Sequence, residues 1–182
     1  ENIYNGALFT GCLQLPKDLN ILQLFLKHSS NEKIDMSFNT IKEGGSLDDT
    51  CFFNRQAILN KSIKISIQQY HSYVENSIID FSILPPKINS IMITLTSFTG
   101  SPLSKISLIE IALTDGNENL ITSIPVTIDD DLSGFVVGAI QGWEFKYIGY
   151  SCDCKMPNLA AKAFLSTCCS IDDDSVEWRD DV

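Results

Sequence analysis

The sequence has no hydrophobic run long enough to cross a membrane and none of the motifs that mark common enzyme classes. A transmembrane helix needs about 20 predominantly apolar residues, whereas the densest early apolar stretch, residues 19–26, is shorter and contains Asn20 and Gln23. Only 2 histidines are present, and no G-x-S-x-G, H-E-x-x-H or phosphate-binding G-x-x-x-x-G-K pattern occurs. We therefore predict that the protein is not an enzyme; a catalytic site without a recognised motif is the weakest alternative.

Positive charge is also scarce, and it is unevenly distributed. Residues 1–105 contain 9 acidic and 9 basic side chains, whereas residues 106–182 contain 14 acidic and 4 basic ones, so the net charge of −10 lies in the second part. Nucleic acids and anionic membrane surfaces would both be repelled by this part. We expect neither as a partner. The acidic part is either a solvated surface or a contact for a divalent cation or a basic protein.

The 6 cysteines lack the C-x-x-C spacing that is typical of zinc ribbons and thioredoxin-like proteins. Four of them lie near the C-terminus, as Cys152 with Cys154 and Cys168 with Cys169. Disulfide bridges, a soft-metal site and free thiols are all compatible with this spacing.

Short segments of alternating apolar and polar residues are abundant. Isoleucine stands at every second position of residues 63–67, residues 34–38 alternate in the same way, and residues 88–97 are dense in β-branched side chains. The aromatic segment 50–54 and residues 77–83 are two further predicted strands; Pro85 and Pro86, which cannot continue a strand ladder, close the second of them. The pattern predicts an all-β protein, a two-sheet antiparallel β-sandwich.

The clearest succession of strands and turns lies in residues 106–149. Asp115–Gly116 and Gln141–Gly142 provide turns, because glycine adopts positive φ without a steric clash. Pro125 indicates either that its strand lies at an edge or that the strand ends there, because proline has no N–H to donate to a neighbour. We predict four consecutive strands that form one β-meander.

The pattern changes after Tyr150. Residues 158–169 are rich in alanine and favour a short helix, and residues 170–182 form an acidic tail. We therefore divide the chain into a sandwich domain, residues 1–152, and a C-terminal extension, residues 153–182.

Two aromatic residues of this extension, Phe164 and Trp178, are our candidate partner contacts. Aromatic side chains dominate the binding energy of many protein interfaces. The alternative is that the acidic tail around Trp178 is solvated and makes no contact.

Five segments, taken in chain order, are similar to those of a known family. They are L-D-D-T-C-F-F-N at 47–54, S-I-K-I-S-I at 62–67, I-I-D-F-S-I-L-P-P-K-I-N-S-I-M-I-T-L-T-S-F at 78–98, S-L-I-E-I-A-L-T-D at 107–115, and D-L-S-G-F-V-V-G-A-I-Q-G-W-E-F-K-Y-I-G at 131–149. In this order they resemble the TerD family of tellurium-resistance and stress proteins, over about residues 20–150. No single motif is diagnostic, and the resemblance rests on the ordered series.

The resemblance implies a calcium-binding β-sandwich that serves as an interaction module, without demonstrated catalysis. In the family's D-L-D pattern Lys33 replaces the first carboxylate and Asp35 keeps the second, and the family's aspartate pair corresponds to Asp48–Asp49. An acidic loop of the family corresponds to residues 69–76, where only Glu75 and Asn76 offer ligand oxygens. The implied metal ligands are therefore Asp35, Asp49, Glu75 and Asn76. Because calcium affinity follows the charge of the ligand set, we expect calcium to be bound weakly or not at all.

These observations predict a non-catalytic interaction or structural module, a divergent TerD-like domain that docks onto other proteins of a larger assembly. A calcium-binding stress-response module of the TerD type is the alternative. We expect a cytoplasmic protein without a membrane span.

Overall fold

The computed structural model describes residues 11–29, 33–68, 74–97, 99–106 and 108–169. Short alternating segments form strands here because their apolar side chains cover one face of a sheet. The strands are β1 (Gly11–Gln14), β2 (Ile21–Lys27), β3 (Asp35–Lys42), β4 (Leu47–Cys51), β5 (Ala57–Ile58), β6 (Ile63–Gln68), β7 (Val74–Asp80), β8 (Ile88–Thr96), β9 (Ile109–Asp115), β10 (Leu120–Val126), β11 (Gly134–Gln141) and β12 (Glu144–Cys152). One 3-10 turn (Leu103–Lys105) precedes β9, and one helix, α1 (Pro157–Cys168), follows β12.

These strands form two antiparallel sheets of six strands each. Sheet A has the order β1-β12-β11-β8-β3-β4, and sheet B has the order β10-β9-β2-β7-β6-β5. β2, β8, β10 and β12 finish at the end of the sandwich where β3, β9 and β11 begin; we call this the Asp35 end. The prediction of an all-β, two-sheet antiparallel sandwich is confirmed.

The main core lies between the two sheets. Leu22, Leu24 and Leu26 of β2 face Met36 and Phe38 of β3, and all five side chains are buried. Burial of one such side chain stabilises the folded chain by about 1.5–3 kcal/mol. The alternation seen in the sequence therefore provides the apolar faces that hold the two sheets together.

The four strands predicted within residues 106–149 are present, but they do not form one meander. β9 and β10 form a hairpin in sheet B, whereas β11 and β12 form a hairpin in sheet A. Residues 127–133 cross from one sheet to the other. The prediction was wrong because alternation and turn residues identify each hairpin without indicating the sheet to which it belongs. The edge position predicted from Pro125 is correct, since β10 is the outermost strand of sheet B.

Two predicted strands are displaced along the chain. The aromatic segment 50–54 was expected to be a strand, but β4 ends at Cys51 and Phe52 begins a turn in which its N–H and carbonyl pair with Arg55. The segment predicted at 77–83 is β7, which starts earlier, at Val74, and ends at Asp80.

Helix α1 packs on the outer face of sheet A and confirms the short helix predicted for residues 158–169. Its buried side chains Ala160, Ala161 and Phe164 meet Met92 and Ala139 of the sheet in a second apolar cluster. Proline at the first helical position fits this start, because the N–H that it lacks would have no partner within the helix. No helix in the described part of the chain is long and apolar enough to span a membrane.

Candidate functional site

Asp35, the first of the predicted metal ligands, begins β3 opposite Thr96 of β8. Met36 and Phe38 point into the main core, whereas Ile41 belongs to the cluster beneath α1, so alternation places Asp35 on the outer face of sheet A. Its side chain is 3% exposed, and its Oδ1 atom has no hydrogen-bond partner. Burial raises the pKa of Asp35, and the charge of Lys33 offsets part of this rise.

The neighbours of Asp35 on this face are hydroxyl and amide groups. Asn39 donates hydrogen bonds to the carbonyl oxygen of Met92 at 3.2 Å and to Oγ1 of Thr94 at 3.1 Å. Asn39 Oδ1 accepts one from the hydroxyl of Thr50 at 3.1 Å. The hydroxyl of Ser37, between Asp35 and Asn39, is fully buried without a partner. The carboxylate of Asp35 thus has neutral neighbours along β3 and β8.

Asp49, the second predicted ligand, lies on the edge strand β4 and pairs with Thr40. Thr40 is five residues from Asp35, which corresponds to about 17 Å along a strand. Asp49 forms a salt bridge with Arg55 at 3.2 Å, and the adjacent Asp48 forms one with Lys87 at 3.2 Å. Both aspartates of this pair therefore already have a cationic partner within the chain.

Glu75 and Asn76, the remaining predicted ligands, are adjacent in β7 of sheet B. Ser77 and Ile79 of β7 are buried while Asn76 and Ile78 are half-buried, so Asn76 lies on the outer face of sheet B. Its Oδ1 atom also has no hydrogen-bond partner. The backbone of Glu75 pairs with Leu26, and its side chain lies outside the described part of the chain.

The structure does not bring together the predicted ligands whose side chains it describes, Asp35, Asp49 and Asn76. Asp35 and Asn76 lie on the outer faces of different sheets, and Asp49 lies farther along sheet A. Calcium requires six to eight oxygen ligands around one point, and the described residues contain no cluster of three or more histidine, cysteine, aspartate or glutamate side chains able to hold a metal. The described residues therefore do not fit the calcium site that the family resemblance implies.

Four of the six cysteines form two separate pairs. Cys152 ends β12 and Cys154 follows it, whereas Cys168 and Cys169 lie at the far end of α1. The helix has 12 residues and is therefore about 18 Å long, which excludes a single site made of all four sulfurs. All six cysteines are free thiols.

Only the first of these pairs joins two thiols by a hydrogen bond. The thiol of Cys152 donates to the sulfur of Cys154, and this bond lowers the pKa of Cys154 below that of an ordinary thiol. The same bond, together with burial, raises the pKa of Cys152. Sequence reasoning identified the pair but not its asymmetry. The position of Cys152 at the end of a strand and of Cys154 just beyond it is the signal that we did not use.

An open groove of about 560 Å³ lies at the Asp35 end of sheet B, where β9 begins and the edge strand β10 ends. It is lined by Ile106, Leu108, Ile109, Glu110, Ser123, Pro125, Val126, Thr127 and Ile128. Leu108 is 81% exposed and has a φ of 56°. A positive φ is costly for a residue with a large side chain, whereas glycine adopts it freely. We did not identify this groove from the sequence, although Pro125 indicated its edge.

The two predicted partner contacts have different outcomes. Phe164 is 2% exposed, and its ring lies 5.6 Å from that of Tyr150, so its surface is used to pack α1 on sheet A. A partner could reach this ring only if the helix left the sheet. Trp178 lies outside the described residues.

Comparison with known proteins provides matches in structure only. No family model matches the chain, and no curated protein sequence does. A solved homologue of the telluride resistance protein TerD, SCO6318 from Streptomyces coelicolor A3(2), superposes with a TM-score of 0.60 at 16% identity, over 79% of this chain and 95% of that one. The solved structure of SAV2460, described as a protein of unknown function, superposes with a TM-score of 0.58 at 10% identity, over 78% of this chain and 95% of that one. The resemblance found in the sequence is thus confirmed at the level of the fold: the chain has a divergent TerD-like β-sandwich.

Proposed function

We propose that the protein is a non-catalytic interaction module that binds an extended segment of a partner protein along the free edge of sheet B. The observation that supports this proposal is the groove beside β10. In the described part of the chain β10 pairs only with β9, so its outer backbone groups are available to a further strand. Addition of a partner strand to a sheet edge is a common mode of peptide recognition, in which the main chain provides affinity and side-chain pockets provide specificity.

The edge is only partly protected in the way that natural proteins protect free strands. Pro125 interrupts β10 and the register of β10 shifts between Leu120 and Thr122, but Leu108, just before β9 in the groove, is 81% exposed. Exposed apolar side chains near a free edge favour association with another chain. We infer that Leu108 contributes to partner contact.

Charge near the groove suggests the chemistry of the partner. Asp129, Asp130 and Asp131 follow directly after the groove residue Ile128, and all three are exposed. A segment that alternates apolar with basic residues would place the apolar ones in the groove and the basic ones near these aspartates. Such complementarity mainly increases the rate and the specificity of association.

The test is a titration of isotope-labelled protein with a synthetic peptide of alternating valine and lysine, followed by NMR. We expect shift changes concentrated in β9 and β10, and their loss in Leu108→Asp, whose aspartate tolerates the left-handed backbone. Leu120→Asp, at the opposite end of β10, is the matched control and should retain binding near Leu108. Shift changes that ignore β10, or that survive Leu108→Asp, would refute the proposal.

Calcium binding is the second candidate, and one observation favours it: the buried Oδ1 atom of Asp35 has no hydrogen-bond partner. A metal selective for the folded chain raises its melting temperature by mass action. If calcium binds there, millimolar calcium should raise the melting temperature of the natural chain and of Asp18→Asn, an exposed control, but not of Asp35→Asn. No rise in the natural chain would eliminate this candidate.

A further inference from the structure

The segment from Cys152 to Cys154 is held in a defined geometry at the Asp35 end of the sandwich. Cys152 is the last residue of β12, opposite Gly134 of β11, and it is 6% exposed beneath α1. Cys154 is half-buried, so that its sulfur is within reach of a small solute. The pair thus combines one accessible thiol with one protected thiol.

The residues around the pair keep the two sulfurs together. A Cβ atom at Gly134 would lie 2.6 Å from the carbonyl oxygen of Cys154 and 3.0 Å from Sγ of Cys152, so the absence of a side chain there allows the segment to lie against β11. The hydroxyl of Ser133 donates to the carboxylate of Asp153 at 3.5 Å, which restrains the intervening residue. The thiol of Cys152 donates to the sulfur of Cys154.

The spacing permits a direct bond between these sulfurs. Two residues separated by one other have Cα atoms at most about 7 Å apart, and a bend such as the one at Asp153 shortens this distance. A disulfide needs Cα atoms about 4.4–6.8 Å apart. Only a modest adjustment of the hydrogen-bonded pair is therefore required.

We propose that Cys152 and Cys154 form a peroxide-reactive dithiol that closes into an intrachain disulfide. The oxidant is hydrogen peroxide. The site is independent of the groove beside β10, because it lies on the other sheet.

The reaction has two steps. The thiolate of Cys154 attacks a peroxide oxygen; an S–O bond forms, the O–O bond breaks, and the departing hydroxide takes up a proton to become water. Cys152 then attacks the sulfur of the Cys154 sulfenic acid; the S–S bond forms, the S–O bond breaks, and the second hydroxide leaves as water with the proton of Cys152. Two thiols are oxidised by two electrons, and one peroxide is reduced to two waters.

The division of roles follows from the protein environment. Cys154 accepts the hydrogen bond that stabilises its thiolate, so its pKa is lowered and a larger fraction of it is ionised near pH 7 than of an ordinary thiol. Cys152 keeps its proton until the sulfenic acid forms next to it.

The remaining thiols lack this combination of exposure and spacing. Cys168 is half-exposed beside the buried Cys169, but adjacent residues have Cα atoms only about 3.8 Å apart, closer than in an ordinary disulfide. Cys51 lies in the main core, where burial and the charge of Asp49 raise its pKa to about 12. Burial and the adjacent Cys168 likewise raise the pKa of Cys169 to about 12. Cys12 is exposed but has no second cysteine beside it in the described sheet. It is therefore the competitor to remove before the test.

The experiment uses the full chain with Cys12→Ser as background. The protein is treated with hydrogen peroxide at pH 7, quenched with N-ethylmaleimide, and analysed by intact mass and peptide mapping. We expect the loss of two free thiols, and of two hydrogen atoms in mass, within one peptide that contains residues 152–154. Because a ring closed over one residue is strained, we also expect excess glutathione to reverse the change.

Three further variants separate the roles. Cys154→Ser should abolish the disulfide in the peptide that contains residues 152–154, whereas Cys168→Ser, the matched control, should leave that disulfide unchanged. Cys152→Ser should stop the reaction at a Cys154 sulfenic acid, which dimedone traps and which adds one oxygen atom in mass. The proposal is overturned if all thiols persist under conditions that oxidise free glutathione in the same tube, or if Cys154→Ser reacts like the background protein.

Discussion

Truncation of Phe164 tests whether α1 is an integral layer of this protein. Its ring is 2% exposed and packs against Tyr150 and the apolar cluster on sheet A. Removal of a buried phenylalanine side chain typically lowers the free energy of unfolding by about 3–5 kcal/mol, because transfer and cavity terms add. In a domain of this size, 1 kcal/mol shifts the melting temperature by about 2–4 °C, so Phe164→Ala should lower it by roughly 6–20 °C.

The assay is thermal unfolding followed by far-ultraviolet circular dichroism, with Thr167→Ala as the matched control. Thr167 is on the same helix but exposed, so its truncation should change stability by no more than about 0.5 kcal/mol. If α1 detaches before the sandwich unfolds, the global transition changes less. In that case the buried thiol of Cys169 should become reactive in Phe164→Ala.

Two outcomes are thus consistent with the packing of α1: a large fall in melting temperature, or a small fall with a newly reactive Cys169. If Phe164→Ala matched Thr167→Ala in both measurements, the ring would not be packed as described. Phe164 would then be accessible to a partner, as the sequence suggested.

Two further predictions concern a close backbone contact and a buried acid. A Cβ atom at Gly138 would lie 2.4 Å from the backbone oxygen of Lys146, whereas a Cβ atom at Gly11 would have no atom of the described residues within 4 Å. Gly138→Ala should therefore lower the denaturation midpoint strongly and Gly11→Ala only slightly. Burial raises the pKa of Asp35, so the folded chain binds this proton more tightly than the unfolded chain does. Its contribution to stability is present below the ordinary carboxyl pKa and is lost as pH rises through the raised value. Asp35→Asn should flatten the pH dependence of unfolding in this range, and an unchanged slope would contradict the prediction.

The strands of the core were predictable because burial leaves a strong periodic signal. Ile63 and Ile65 alternate with polar residues in the sequence, and both are buried in β6. The Phe52–Phe53 pair gave a false strand signal, because Phe52 is buried by a turn rather than by a ladder. Apolar residues in the sequence indicate that a segment is buried, but the hydrogen bonds of its backbone decide whether it is a strand.

The proximity of site residues was much less predictable. Asp35 and Asn76 both lie at or near the start of a strand, yet β3 belongs to sheet A and β7 to sheet B. Moving one position along a strand reverses the face of the sheet on which a side chain lies. The convergence of ligands therefore depends on register and sheet assignment, which single-sequence patterns do not specify. The hydrogen bond between Cys152 and Cys154 is local, but the burial of Cys152 beneath α1 is not.

The contrast between a retained fold and dispersed carboxylates has a physical basis. The sandwich depends on many buried positions that each accept several apolar residues, so a low identity of 16% to a TerD homologue is compatible with the same architecture. A metal site depends on a few charged oxygens at one point, and the loss of one or two of them removes most of its affinity. Around Asp35 the neighbouring groups are hydroxyls and an amide, whereas the exposed Asp129, Asp130 and Asp131 lie beyond the groove of sheet B. This distribution of negative charge is the reason why we propose contact with a basic protein segment as the first function and calcium binding as the second.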